Sequence, residues 1–257
     1  MSEDTSNGAG GPRIPWNPWL GVVYTLVIYY AAQILAGILL SVYPAFKHWS
    51  HAVTLDWVSN SVWAQFTFVL LAEAFTLAAI YAFLKRYKVN FSSIGLRRPS
   101  WSDPFYGLAA LPAYFILYLL TVNVVSHFVP GLDVNQQQQI GFDGIHGGLP
   151  LALAFISLVI LPAVTEEIMV RGFLYSSMKK ALPTVYAAIF TSALFASAHL
   201  QEGGSGGLLY IAAIDTFILS LVLIYLREKT GNLWASITLH AAKNTIAFVS
   251  LFALHLR

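Results

Sequence analysis

Long apolar stretches separated by short polar connections run along almost the whole chain. A helix that crosses a bilayer needs about 20 mostly apolar residues, because the hydrocarbon core is about 30 Å thick and each residue adds about 1.5 Å. The pattern predicts about seven transmembrane helices, at residues 14–46, 62–84, 103–133, 148–181, 183–199, 208–226 and 232–253. The expected fold class is therefore all-α, a polytopic membrane helical bundle in which residues 14–257 form a single transmembrane domain.

The composition places much of the chain in lipid. Hydrophobic residues make up 57% of it and charged residues only 10%, whereas a soluble domain carries roughly 25% charged residues. Residues 1–13 are polar and Gly-rich and lack the basic start of a signal peptide, so a disordered cytosolic tail is expected. The net charge of +2 suggests no nucleic-acid partner, and a chain without cysteine has no thiol nucleophile and no thiolate metal ligand.

Basic residues are concentrated in alternate connections. They lie at the end of the second, fourth and sixth predicted spans or directly after it, at Lys85, Arg86, Lys88, Arg97, Arg98, Lys179, Lys180, Arg227 and Lys229. Loops rich in Lys and Arg stay in the cytoplasm. The N-terminus is therefore predicted to be cytoplasmic and the C-terminus outside. Separately, the short chain and its few spans favour a prokaryotic cell membrane.

The fourth span carries ionisable groups, which cost about 2.5–3.5 kcal/mol each at the bilayer centre on insertion scales. It continues as T-E-E-I-M-V-R, with Glu166, Glu167 and Arg171. Glu167 and Arg171 stand at i and i+4 with the acid first, which is the favourable order for an intrahelical pair. Consecutive helical residues point about 100° apart, so Glu166 is predicted to face a functional site. The alternative is that all three charges form a structural cluster between helices.

Two later spans carry histidines at helical spacing. The fifth ends F-A-S-A-H, with Phe195 and His199 one turn apart, and the seventh contains H-A-A-K-N, with His240 and Asn244 on one face. Glu166 and His199 lie equally far from the turn at residues 182–183, about 25 Å away at 1.5 Å per residue. Their depth matches that of His240 only if the fourth span is long and its hairpin extends about 10 Å into the cytoplasm.

These groups suit amide hydrolysis by water. Glu166 can take a proton from water and give one to the leaving amine. His199 and His240 can hold a divalent metal ion, with zinc the first expectation. Asn244 can donate a hydrogen bond to the developing oxyanion. The sequence lacks H-E-x-x-H, so this is not the common zincin arrangement.

The same motifs resemble those of the CPBP family, intramembrane proteases related to the type II CAAX prenyl endopeptidase and to bacteriocin-processing proteins. The family motifs E-E-x-x-x-R, F-x-x-x-H and H-x-x-x-N are found here as Glu166-Glu167-Arg171, Phe195-His199 and His240-Asn244. Together with I-G-L-R-R at residues 94–98, they extend the resemblance over a catalytic core at about residues 90–252.

The resemblance implies a CAAX protease-like intramembrane endopeptidase that acts on membrane-associated protein or peptide substrates. It implies that Glu166 activates water and that His199, His240 and Asn244 complete the site. Members of the family are usually described as metalloproteases. The resemblance leaves open whether the histidines bind a metal ion or donate to the oxyanion.

Other interpretations remain open. Asp215 and Lys243 are further charges within spans and can pair, in a non-catalytic membrane scaffold or a transporter-like protein. Ser205 lies in a G-x-S-x-G match, but a serine nucleophile needs a histidine base within reach, and His255 is poorly placed. Tryptophans near the span ends predict anchors at the membrane interface: Trp16, Trp19, Trp57, Trp63, Trp101 and Trp234.

Overall fold

The computed structural model describes residues 14–136, 138, 140–200 and 207–254. In this part of the chain the regular elements are all helical: α1 (Pro18–Phe46), α2 (His51–Asn60), α3 (Val62–Arg86), α4 (Ser102–Phe128), α5 (Gly148–Ala181), α6 (Thr184–His199), α7 (Tyr210–Thr230) and α8 (Trp234–Phe252), with a short 3-10 helix at Phe91–Ile94. The all-α polytopic bundle is confirmed. The predicted tail at residues 1–13, Ser205 and His255 lie outside the described residues.

Seven of these helices coincide with the predicted spans. By length and composition α1, α3, α4, α5 and α7 can cross a membrane. Helix α6 has 16 residues, which is about 24 Å, and the polar side chains of α8 lower its mean hydropathy, so these two fall short of that standard. The sequence pattern missed α2, a ten-residue helix between α1 and α3.

Helix boundaries follow from local sequence. Asn17 accepts a hydrogen bond from the N–H of Trp19 at 2.9 Å, just before Pro18 in the first turn of α1. Helix α5 ends at Ala181, and the next residue, Leu182, is extended because the following proline disfavours helical backbone. Helix α7 ends where Gly231 adopts φ +65° and donates its N–H to a carbonyl four residues earlier, at 2.8 Å.

Helix α5 is continuous over 34 residues, about 50 Å at 1.5 Å per residue. It therefore exceeds a hydrocarbon core of about 30 Å. Its turns widen to π-helical geometry at Ile156–Ile160 and again at Glu167–Leu174. Such widened turns are frequent at functional sites. The length of the fourth span is confirmed, and its extension into the cytoplasm stays a prediction.

Glycines let two pairs of helices approach closely. A Cβ on Gly107 of α4 would lie 2.6 Å from the carbonyl oxygen of Ala235 in α8. A Cβ on Gly21 of α1 would overlap the hydroxyl oxygen of Ser177 in α5. Small residues at helix contacts allow this backbone approach in membrane bundles. They fix α8 against α4 and α1 against α5.

Trp16 belongs to the core, so its prediction as an interfacial anchor was wrong. It is 1% exposed, and its Nε1–H donates to Ser177 at 2.9 Å. The Lys180 ammonium donates to the carbonyl oxygens of Ile14 and Trp16 at 3.1 and 2.9 Å. These contacts fold the segment before α1 onto the end of α5. The tryptophans that remain exposed near helix ends include Trp19, Trp63 and Trp101.

The connections predicted to be cytoplasmic meet at one end of the bundle. Lys179, near the end of α5, forms an ion pair with Glu228 of α7. Asn232, between α7 and α8, donates to the carbonyl oxygen of Arg98 before α4 at 2.9 Å. The basic residues at the ends of α3, α5 and α7 and directly after them therefore share one end of the bundle, as the predicted topology requires. That this end is cytoplasmic stays a prediction.

Candidate active site

A buried charge network joins α5 to α8. Oε1 of Glu167 lies 3.0 Å from Nη1 of Arg171, and both side chains are 0% exposed. The same oxygen accepts a hydrogen bond from Nδ1–H of His240 at 3.0 Å. The predicted i, i+4 pair is confirmed, and Glu167 also fixes the orientation of the His240 ring.

Glu166 points to a different place from its neighbour. Its Oε2 lies 3.8 Å from Nε2 of His240, and its side chain is 24% exposed. It lines a small cavity of about 90 Å³ between α1, α5 and α6, together with His199. One of two adjacent carboxylates is therefore sealed in the bundle, while the other opens on a cavity.

The last turn of α6 contributes His199 and Phe195. Nδ1–H of His199 donates to the carbonyl oxygen of Phe195 at 3.0 Å, and the two rings meet edge to face with centroids 4.7 Å apart. The guanidinium carbon of Arg171 lies 4.4 Å from the centroid of the Phe195 ring, a cation–π contact. Arg171 thus links the α6 motif to the network between α5 and α8.

Asn244 is turned toward the main chain of α5. Its carboxamide donates to the carbonyl oxygen of Leu158 at 3.2 Å. That carbonyl lacks the usual helical partner four residues later, because Pro162 has no N–H. Asn244 lies one turn beyond His240 on α8, and its hydrogen bond directs its carboxamide to this carbonyl.

A second ion pair joins α7 to α8. Nζ of Lys243 lies 2.8 Å from Oδ2 of Asp215, and the hydroxyl of Tyr114 in α4 donates to the same carboxylate. The expected pairing of these two charges is confirmed. The cluster fastens three helices together directly beside Asn244.

The hydrogen bonds of His199 and His240 are of the kind seen in metal-binding histidines. Their Nδ1–H groups donate to a carbonyl and to a carboxylate, so the lone pair of each neutral ring lies on Nε2. A catalytic zinc site normally has three protein ligands. Within the described residues, no group of three or more His, Cys, Asp or Glu side chains is placed to hold a metal ion. His199 and His240 therefore have the donor chemistry of zinc ligands. Two ligands are fewer than the three that a catalytic zinc site normally has.

The comparisons with known proteins bear on the helices that carry this site. Residues 148–246 match the family model described as type II CAAX prenyl endopeptidase Rce1-like. Over this segment the chain is similar to the type II CAAX prenyl endopeptidases. The matched segment covers α5, α6, α7 and most of α8, and with them all seven residues that the three motifs single out. Neither the curated proteins nor the solved structures gave a match.

The relation supports a CAAX-type intramembrane endopeptidase at the level of the family, and an integral multi-pass membrane protein. The match is narrower than the predicted core at residues 90–252, and it leaves out the I-G-L-R-R segment at residues 94–98. That segment nevertheless packs at the base of the bundle, where Gly95 accepts a hydrogen bond from the N–H of Leu233 at 3.1 Å.

The motifs missed what α1 and α3 contribute. Thr25 and Tyr29 of α1 line the cavity beside Glu166. Glu73 of α3 forms a hydrogen bond with Thr165, the residue before Glu166. Glu73 carried a signal, since an acid within an apolar span needs a partner. Thr25 and Tyr29 carried none, because nothing in their span distinguishes them from lipid-facing residues.

Proposed function

We propose that the chain is an intramembrane endopeptidase that hydrolyses peptide bonds of membrane-associated proteins or peptides with water activated by Glu166. The observation that carries the proposal is the contrast between adjacent glutamates. Glu167 is enclosed between Arg171 and His240. Glu166 opens on a cavity with His199 and lies 3.8 Å from the outer nitrogen of His240.

The attacking water is proposed to lie between Glu166 and His240. The 3.8 Å between Oε2 and Nε2 is too long for a direct hydrogen bond. Both atoms are acceptors, so one water can donate an O–H to each. Glu166 takes a proton from this water while the water oxygen bonds to the scissile carbonyl carbon. It returns the proton to the amine nitrogen as the C–N bond breaks, which leaves a carboxylate and an amine.

Asn244 is proposed to stabilise the oxyanion. Its carboxamide has two N–H donors, and one of them donates to Leu158 at 3.2 Å. The second is assigned to the oxygen of the tetrahedral intermediate. A donor in this position typically lowers the barrier by about 3–4 kcal/mol.

The apolar lining of the cavity favours substrates that reach the site from the membrane. Most of its lining is apolar or aromatic, including Leu26, Tyr30 and Leu194. Residues of α1 and α6 line it beside α5, and α1 is long and apolar enough to be surrounded by lipid. A peptide held in or at the bilayer can approach Glu166 through this cleft, whereas a soluble peptide cannot enter without leaving water.

A divalent metal ion, with zinc the first candidate, is the alternative form of the proposal. Nε2 of His199 and of His240 would then bind the ion instead of accepting from water, with Glu166 and Asn244 nearby. When bound, such an ion polarises water and carbonyl groups. The Nδ1 hydrogen bonds of both rings support it. The test is elemental analysis of the purified protein beside cleavage before and after a chelator. We expect metal and cleavage to be lost together, and cleavage by metal-free protein would contradict a metal requirement.

The peptidase proposal is tested with the purified wild type, Glu166→Gln and a matched control, Glu228→Gln. Glu228 lies outside the site and pairs with Lys179 near the bundle end. Each protein is incubated with a library of membrane peptides, and the products are identified by mass spectrometry. We expect wild type and control to cleave the same peptides, and Glu166→Gln to be slower by about 10²–10⁴-fold, because an amide cannot accept the proton.

Two outcomes contradict the proposal. Equal cleavage by Glu166→Gln and wild type would remove Glu166 as the reacting acid. Absence of cleavage by all three proteins would favour the alternative, a non-catalytic membrane scaffold or transporter-like protein that retains the polar cluster.

A further inference from the structure

A second cavity lies between α4 and α7 and shares no residue with the one at Glu166. It is an open groove of about 430 Å³. Ala109 and Ala113 form its α4 wall, and Val222 and Leu226 form its α7 wall. Because both helices are candidate membrane spans and the two alanines are exposed on the bundle surface, the groove faces lipid.

One end of the groove carries a positive charge. Nζ of Lys229 lies 5.4 Å from the ring centroid of Tyr106 and 5.8 Å from that of Tyr225. In the part of the chain that the structure describes, Lys229 forms no ion pair. The adjacent Glu228 is engaged by other basic side chains. An ammonium group held between two aromatic rings thus stands at the mouth of an apolar groove.

The length of the groove corresponds to one leaflet of a bilayer. It runs along α4 from Tyr106 to Leu117, which is about 16 Å at 1.5 Å per residue. Half of a hydrocarbon core of about 30 Å is about 15 Å. Lys229 therefore lies at the depth of the head groups when the rest of the groove lies along the acyl chains of the same leaflet.

We propose that this groove is a binding site for an anionic phospholipid, with one acyl chain between α4 and α7 and the phosphate on Lys229. An uncharged apolar ligand would leave the ammonium group of Lys229 without a counter-charge. A soluble anion would leave the apolar walls of the groove without a contact. Basic pockets between transmembrane helices are known to take anionic head groups. The basic connections that gather at this end of the bundle add to the attraction.

The test is native mass spectrometry of the full chain with phosphatidylglycerol or phosphatidylcholine of identical acyl chains. Lys229→Met removes the charge, and Ala113→Phe fills the groove. Lys85→Met is the matched control for the first, because Lys85 also lies over a tyrosine, 6.0 Å from the ring centroid of Tyr81, at the end of α3. Leu120→Phe is the control for the second, since Leu120 is exposed on α4 outside the groove.

We expect the wild type and both controls to retain phosphatidylglycerol in preference to phosphatidylcholine. Lys229→Met should bind phosphatidylglycerol about fivefold more weakly, the change given by about 1 kcal/mol per lysine at an anionic surface. Ala113→Phe should lose binding of both lipids. Unchanged binding by either variant would overturn the proposal. An equal loss in Lys85→Met would overturn it as well, because the attraction would then belong to the whole interface.

Discussion

Glu166 and Glu167 are neighbours in the chain with opposite surroundings. Helical geometry predicted that they diverge, and the i, i+4 spacing predicted that Glu167 pairs with Arg171. The spacing could not predict that Glu167 also accepts a hydrogen bond from His240, 73 positions later, because that contact depends on how α8 packs against α5. Local pairs were readable from the sequence, and pairs between helices were not.

Glu167→Gln is expected to destabilise the protein. The change leaves the fully buried Arg171 without its carboxylate, and breaking a buried ion pair costs about 3–5 kcal/mol. The measurement is thermal or denaturant unfolding of the purified protein in detergent. Glu166→Gln serves as comparison and should unfold close to wild type, since its side chain is partly exposed. Equal stability of Glu167→Gln and wild type would show that the buried pair contributes nothing.

Asn244 is expected to have a structural role that can be separated from its proposed catalytic one. Pro162→Ala restores an N–H for the carbonyl oxygen of Leu158, which Asn244 now satisfies. Asn244→Ala should cost about 1 kcal/mol alone, and less in the Pro162→Ala background. Cleavage should stay low in both backgrounds because the proposed oxyanion donor is gone. Recovery of cleavage in the double variant would leave Asn244 with the structural role only.

At the scale of helices, the hydrophobic runs located each of the long helices in the described part of the chain, because a span is defined by length and polarity alone. The hydrophobic runs did not predict helix α2, because its ten residues, which include Asp56, are too few and too polar to span a membrane. The hydrophobic runs did not predict the widened turns of α5 either. These turns change which residues face one another without changing composition, so the sequence pattern carries no trace of them.

Gly107→Ala is expected to weaken the contact between α4 and α8. The added Cβ would lie 2.6 Å from a backbone oxygen of α8, and overpacking of this kind costs about 1–3 kcal/mol. Gly37→Ala is the matched control, because a Cβ there meets nothing within 4 Å. It should be neutral or stabilising by up to about 1 kcal/mol, since alanine favours helix. The measurement is again thermal or denaturant unfolding in detergent. Equal effects of the two changes on the free energy of unfolding would refute the close approach of α4 to α8.

At the scale of the whole molecule, the site draws on more of the chain than the family match covers. Helix α1 lies outside residues 148–246, yet it lines the cavity at Glu166. The motifs pointed to α5, α6 and α8 because those helices carry polar residues in apolar spans. The share of α1 in the site follows from packing, through Gly21 and Trp16, which the pattern of apolar residues does not encode.

The orientation of the bundle is open to a direct check, because the chain has no cysteine. Single cysteines placed at the exposed Ser100 and His146 lie in connections of opposite predicted side. In intact cells an impermeant maleimide should label His146→Cys and leave Ser100→Cys unlabelled until the membrane is opened. The reverse pattern would invert the predicted topology.

Glu166 is proposed to activate water for peptide hydrolysis within the membrane. The most direct measurement is mass spectrometry of cleavage products formed in ¹⁸O-labelled water by wild type and by Glu166→Gln. We predict one ¹⁸O atom in the new carboxyl terminus made by the wild type, and almost no product from Glu166→Gln at equal folded protein. Product without ¹⁸O, or labelled product from Glu166→Gln at the wild-type rate, would contradict the claim.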